Sequence, residues 1–249
     1  NVTVQVWYKV GAKDDPEGRS GFAHMFEHLM FKATRNLPQE TFDRLTEDVG
    51  GSNNASTGLD VTNYYETVPA QHLERMLFAE SERMGSLVVD EASFESERDV
   101  VKEEFRLRVL STPYGRFQRL HSQAFIYQDS PYRRPGIGSL ENLDAATIED
   151  VRRFHATYYR PDNAVLIVVG DFDPPQLDGW VDRCFGPLAR PTARTAAAMS
   201  PLMRMSVEVE VVDPIFVDPA GDRTQFSLQP HCPHDRNFRA TAGIEQRAK

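Results

Sequence analysis

The chain has 249 residues and carries 28 Lys and Arg against 37 Asp and Glu, which gives a formal net charge of −9. This acidic balance disfavours nucleic acid as a partner, because such binding depends on neutralising phosphates with Lys and Arg. Hydrophobic residues make up 40% of the chain, which is enough for a core, and no apolar run is long enough to span a bilayer. The two cysteines, Cys184 and Cys232, form no C-x-x-C pair and do not indicate a redox compartment.

The N-terminal segment 2–10 alternates strictly, with a Val or Tyr at every second position, and predicts a half-buried strand. No initiator Met and no basic, apolar leader precede it, so we expect the chain to begin inside a mature domain. Segment 11–20, rich in Gly, Asp and Lys, is then the loop that leads into the next element.

Segment 21–32 (GFAHMFEHLMFK) is predominantly apolar, contains no Pro, and predicts a mostly buried helix. His24 and His28 are four residues apart and therefore share one face, which suits a divalent ion such as zinc. Glu27 lies at the edge of that face, where its carboxylate can reach a water on the metal. The pattern H-x-x-E-H is the inverse of the metallopeptidase motif H-E-x-x-H. A single His on a helix more often satisfies a core polar group. A third ligand is therefore needed before the pattern favours a metal site over structural histidines.

Segment 38–49 has helical spacing and is stopped by Gly50-Gly51. Two strands follow, at 52–57 and 61–68, and form a probable hairpin. The first strand is short and polar, which is typical of a sheet edge whose free N–H and C=O groups can pair with an extended peptide. An ordinary solvated edge strand fits the sequence equally well.

Helices are predicted at 70–87 and 90–110. In the second, the run ERDVVKEE contains Glu97 and Glu104, seven residues apart on one face. A carboxylate is a common third ligand beside two His. On composition alone, however, this run is a solvated helix face.

The remaining elements are less informative about chemistry. His121 is interpreted as a structural residue and His155 as a surface or capping residue. His231-Cys232-Pro233-His234 is interpreted as a loop, since its spacing matches no metal site. The predicted elements are a helix at 113–127, a loop at 130–142, a helix at 145–159, a central strand at 163–172, a helix at 174–185, a linker at 186–201 and a strand at 206–212.

These pieces, in this order, resemble the N-terminal catalytic part of the pitrilysin/insulinase family of zinc metallopeptidases, the inverzincins. The resemblance covers residues 1 to about 188, and residues 213–249 resemble nothing in the family. The segments that carry it are Trp7-Tyr8, GFAHMFEHLMFKAT, GGSNNAST, TNYYETVP, ERDVVKEE and SPYRRPGIGSLENLDAATIEDVRRFHATYYRPDNAVLIVVGDFD.

The resemblance implies the third zinc ligand. In the family it is a Glu about 75 residues after the second His and seven beyond another Glu; here 104 − 28 − 1 = 75 residues intervene. It therefore implies one Zn²⁺ per chain, held by His24, His28 and Glu104. Glu103 is the alternative ligand, although it is turned about 100° away on an ideal helix.

The resemblance also implies the catalytic and substrate-binding residues. Glu27 is the expected general base, and Glu97 the second acidic residue of the catalytic pattern, supporting the site from beside a ligand. The edge strand that aligns the substrate backbone contains Asn54, Ala55 and Ser56.

The expected fold is α+β, with a mostly antiparallel sheet and helices packed on one face. We expect a zinc-peptidase domain at 1–212 and a tail of uncertain structure at 213–249. The resemblance implies a metalloendopeptidase that acts on peptides or unfolded polypeptides, and long envelope relatives favour a periplasmic location.

Family members close around substrate as two similar halves. A second homologous half, in the same longer chain or a separate subunit, is therefore the expected partner. Two alternatives are a non-peptidase partner subunit and an H-x-x-E-H lyase of the S-ribosylhomocysteine type, which needs an active-site Cys.

Overall fold

The computed structural model describes residues 1–188, so the predicted strand at 206–212, the tail at 213–249 and most of the predicted linker lie outside the described residues. A four-stranded sheet has the order β2-β3-β1-β4, and every neighbouring pair is antiparallel. The strands are β1 (Val2–Tyr8), β2 (Ser52–Thr57), β3 (Thr62–Val68) and β4 (Ala164–Gly170).

The alternation in β1 sets which face of the sheet is covered. Val2, Val4, Val6 and Tyr8 are at most 1% exposed, whereas the intervening residues are half-buried. Helices pack against the covered face, as a sheet with one apolar side requires. The predicted α+β class is confirmed.

Eight α-helices occur in the described part of the chain, and α4 continues into a π-helical turn at Arg106–Leu110. A second such turn, Phe117–His121, precedes α5. The helices are α1 (Phe22–Leu29), α2 (Thr41–Glu47), α3 (Leu73–Gly85), α4 (Glu91–Phe105), α5 (Ser122–Ile126), α6 (Leu140–Asp144), α7 (Ile148–Tyr158) and α8 (Pro174–Phe185).

The positions of β4 and His155 differ from the predictions. The strand predicted to be central, β4, is an end strand within residues 1–188, and its apolar side chains are only half-buried, with Val169 58% exposed. A continuous apolar run indicates strand length but not position in the sheet. His155, predicted to be a surface or capping residue, is half-buried, and its ring stacks on Tyr159 at 5.5 Å and on Phe26 at 6.2 Å.

The main core joins the sheet to the helix that contains the H-x-x-E-H pattern. Val6 and Tyr8 of β1 pack in one cluster with Phe22, Met25 and Phe26 of α1. The Tyr64 hydroxyl of β3 donates a hydrogen bond to the Phe26 carbonyl at 3.3 Å. Helix α1 is therefore anchored on the sheet along its apolar side. No helix of residues 1–188 has both the length and the apolar character needed to cross a membrane.

Candidate metal centre

Helix α1 begins at a fixed point. The Asp15 carboxylate accepts hydrogen bonds from the Gly21 amide at 2.7 Å and the Ala23 amide at 2.8 Å, so it satisfies two donors that a helix start leaves open. Gly21 has φ +93, and a Cβ there would lie 2.9 Å from the Gly138 Cα. The close approach of these two glycines positions the loop that contains Gly138 beside the start of α1.

The burial of α1 leaves three polar side chains on the opposite side. Its apolar residues are fully buried, whereas His24, Glu27 and His28 are half-buried. Helix α4 packs alongside α1, with Phe94 and Val101 in the same core cluster. This packing brings the predicted acidic face of α4 to the histidines.

Possible ligand atoms of His24, His28 and Glu104 all lie within 4.8 Å of one another. Glu104 Oε2 is 3.5 Å from His24 Nε2 and 3.4 Å from His28 Nε2. Two imidazoles and one carboxylate are a donor set found at catalytic zinc, and they leave a position for water. His24 Nδ1 is buried and has no hydrogen-bond partner among the described residues. These three residues therefore fit a zinc ion.

The environment separates the two histidines. Burial lowers the pKa of His24 to about 4, so its imidazole is neutral at neutral pH and can bind a metal. Burial also lowers the pKa of His28, but hydrogen bonds to Glu104 and Glu97 outweigh it and raise that pKa to about 9. A metal ion would have to displace this proton, because an imidazole binds in its neutral form.

Glu97 is buried and contacts the site through a histidine. Its Oε2 is 3.5 Å from His28 Nδ1, and its Oε1 is 2.6 Å from Lys32 Nζ. Burial raises the pKa of Glu97, but the hydrogen bonds from His28 and Lys32 lower it overall. Glu97 is therefore an ionised carboxylate behind the His28 ring.

Glu27 lies beside the three ligand candidates but outside that group. Its Oε2 accepts a hydrogen bond from the Thr57 hydroxyl of β2 at 2.5 Å. Burial raises the pKa of Glu27, while the Thr57 hydrogen bond lowers it. The alternative ligand, Glu103, is exposed and forms an ion pair with Arg106 at 3.0 Å, so the structure does not bring it to the histidines.

A cavity of about 710 Å³ opens over these residues. One wall is β2, which is an end strand of the described sheet, and its Asn54, Ala55 and Ser56 line the cavity. The other walls come from the segment that contains Gln118, Arg119 and Gln123 and from the loop that contains Gly136 and Ile137.

Sequence reasoning missed three side chains of this site: Thr57, Lys32 and Arg108. Lys32 and Arg108 each lie four residues after a residue of the site, His28 and Glu104, which is a helical-neighbour signal. Thr57 carried no such signal, because its contact with Glu27 depends on where β2 meets α1.

Two family models match the chain: insulinase (peptidase family M16) over residues 1–135, and the peptidase M16 inactive domain over residues 145–229. The chain belongs to peptidase family M16. The second match enters the segment 213–249, so the likeness extends further than the resemblance indicated.

Similar M16 proteins include named zinc proteases. The chain is 41% identical over 171 residues to zinc protease PqqE of Helicobacter pylori, which covers 68% of this chain and 38% of that protein. The crystal structure of a protease from Helicobacter pylori is similar with TM-score 0.68 and 36% identity, over 75% of this chain and 45% of that one. The crystal structure of the ferredoxin protease FusC is similar with TM-score 0.68 and 29% identity, over 77% of this chain and 22% of that one. The chain thus spans about two fifths of the curated relative.

Proposed function

We propose that this M16 chain supplies the zinc site of a metalloendopeptidase that hydrolyses peptide bonds in peptides or unfolded polypeptides. The observation that carries the proposal is the convergence of His24, His28 and Glu104 ligand atoms within 4.8 Å, beside Glu27 and under an end strand. Relatives named zinc protease support the metal and the general activity.

His24, His28 and Glu104 would hold one Zn²⁺. When bound, zinc supplies Lewis acidity toward the scissile carbonyl and lowers the pKa of water toward neutrality. Glu27 acts as general base: it accepts a proton from the attacking water and then gives it to the leaving amine. The Thr57 hydroxyl, 2.5 Å from Glu27 Oε2, holds this carboxylate in place. Glu97 orients His28 through its Nδ1.

The end strand supports an extended peptide as substrate. Asn54 and Ser56 are exposed and Ala55 is half-buried on β2, and all three line the cavity. A peptide that pairs with β2 would therefore run over the histidines while its backbone is satisfied by the sheet.

Metal analysis with activity assays tests the proposal. We expect Glu27→Gln to keep about one zinc per chain and lose hydrolysis, because it removes the base but no ligand. Glu104→Ala should lose zinc, and the matched control Glu103→Ala should keep it. Loss of zinc in Glu27→Gln would overturn the base assignment, and a metal-free wild type would favour the non-peptidase partner subunit.

A second homologous half is the proposed partner. The chain covers only 38% of the PqqE length, and the segment beside the cavity exposes apolar side chains: Leu107, Leu110, Tyr114, Phe117, Phe125, Ile126 and Tyr127. Burying such a surface is favourable, which suits closure of another half over the cavity.

In the part of the chain that the structure describes, this cavity does not contain the active-site Cys that the lyase alternative needs. Within residues 1–188 no cysteine lines it. Cys184 lies on α8, where it packs against the cluster formed by Val2 and Val4 of β1, and burial raises the pKa of its thiol.

A further inference from the structure

We propose that Lys32 and Arg108 are positioning residues of the metal centre, each holding one oxygen of a carboxylate so that the other oxygen faces a histidine. This inference rests on the proposed zinc site. Neither side chain is placed as a ligand or base; both act through Glu97 and Glu104.

Arg108 acts on the carboxylate ligand. Its Nη1 lies 2.8 Å from Glu104 Oε1, while Glu104 Oε2 faces the Nε2 atoms of both histidines at 3.4–3.5 Å. A carboxylate that could rotate freely would offer either oxygen or both. The charge-assisted bond to Arg108 occupies one oxygen and leaves a single, defined ligand atom.

Arg108 lies at an irregularity in the helix. It lies four residues after Glu104, in the π-helical turn Arg106–Leu110 that directly follows α4. Such turns are frequent at functional sites. The Arg108 side chain is 62% exposed while Glu104 is 16% exposed. The guanidinium is therefore largely in solvent, and it binds a carboxylate that is half-buried in the site.

Lys32 acts one step further from the metal. Its Nζ is 2.6 Å from Glu97 Oε1, and Glu97 Oε2 is 3.5 Å from His28 Nδ1. A carboxylate at Nδ1 fixes the tautomer and ring orientation that leave Nε2 for the metal. Glu97 is 7% exposed, and a buried carboxylate without a counter-charge is costly and rearranges. Lys32 supplies that counter-charge and keeps Oε2 on the histidine.

The two arrangements have the same form, one just after the end of α1 and the other just after the end of α4. In each, a cation four residues after a site residue holds Oε1 of a Glu, and Oε2 of that Glu contacts a histidine. Arg108 is 62% exposed, and an ion pair of that kind is worth little to stability. A purely structural role for Arg108 therefore predicts a small effect on zinc affinity. A positioning role predicts a large one.

Zinc affinity distinguishes these roles, measured by competition with a fluorescent chelator on the purified full-length natural protein. We expect Lys32→Met and Arg108→Met to weaken zinc binding by about 10–100-fold, the range for partners that orient ligands. The chain offers matched controls: Lys102 on α4, whose Nζ is 2.6 Å from Asp144, and Arg106 in the π-helical turn, whose Nη1 is 3.0 Å from Glu103. Lys102→Met and Arg106→Met should leave zinc affinity unchanged.

Two further measurements separate positioning from folding. The conservative variants Lys32→Arg and Arg108→Lys should recover most of the affinity, because a cation remains. In a double-mutant cycle, Lys32→Met should add no further loss once Glu97 is Gln, since its effect passes through that carboxylate. An additive loss would overturn the assignment for Lys32.

A wild type that binds no zinc would overturn both the proposed zinc site and the positioning roles of Lys32 and Arg108. A wild type that binds zinc, with Lys32→Met and Arg108→Met indistinguishable from the two controls, leaves the metal centre standing and overturns the positioning roles.

Discussion

The hydroxyl of Thr57 is the contact that joins the proposed base to the sheet. It donates to Glu27 at 2.5 Å, and a hydrogen bond to a charged group contributes about 1.5–3 kcal/mol. We expect Thr57→Val to lower kcat about tenfold, because 1.4 kcal/mol is tenfold in rate, with zinc content unchanged. Thr57→Ser keeps the hydroxyl and should restore kcat. Steady-state kinetics with elemental analysis checks this, and a wild-type kcat in Thr57→Val would contradict it.

Helical spacing alone predicted that His24 and His28 share one face of a helix, and in the structure both rings face Glu104. The choice of Glu104 over Glu103 needed the family spacing, because two adjacent carboxylates in a charged run look alike in composition. Adjacent residues are about 100° apart on an ideal helix, and in the structure Glu104 turns to the histidines while Glu103 is exposed. Thr57 could not be predicted, since it depends on how a strand and a helix 30 residues apart pack.

The start of α1 depends on a buried acid. Burial raises the pKa of Asp15 to about 7, although the amides of Ala23 and Gly21 lower it. The unfolded value is about 3.9, so the folded state binds the proton more tightly. The resulting stability is present below about pH 4 and is lost as the pH rises to about 7, by at most about 1.4 kcal/mol per pH unit.

Asp15→Asn should therefore remove this pH dependence. We expect the free energy of unfolding of the wild type, relative to Asp15→Asn, to fall between pH 5 and pH 7 and to level off above it. Urea denaturation of metal-free protein at several pH values measures it, with the exposed Asp99→Asn as a control for the loss of one carboxyl. A difference that stays constant with pH would contradict this.

The alternating pattern predicted β1 at 2–10, and the strand ends two residues earlier, at Tyr8. The hairpin strands predicted at 52–57 and 61–68 are observed at Ser52–Thr57 and Thr62–Val68. The period of two in β1 follows from its one covered sheet face. Helix ends were less predictable. The helix expected at 90–110 ends as an α-helix at Phe105 and continues as a π turn, a change in hydrogen-bond register that the side-chain pattern does not reveal. Arg108 lies in the same turn, so this unpredicted irregularity is part of the site itself.

In our proposal, the active peptidase includes a second homologous half in addition to this chain. The ligands, Glu27 and β2 all lie within residues 1–188, so metal binding should need no other half. Seven exposed apolar side chains between Leu107 and Tyr127 border the same cavity segment, and they would be covered only when a second half closes.

We therefore expect the 249-residue chain to bind zinc as tightly as a full-length natural form that includes a second homologous half, and to hydrolyse peptides far more slowly. Replacing Phe117 and Phe125 together by Ser in the full-length form should lower kcat/KM while zinc affinity stays the same, because only the closing surface changes. The control variant Val88→Ser, at a side chain that is 45% exposed and lies outside this segment, should leave both kcat/KM and zinc affinity unchanged. Peptide hydrolysis and chelator competition on the same preparations test this. Full activity in the 249-residue chain would show that these residues complete the active site without a second half, and the exposed apolar segment would then face substrate.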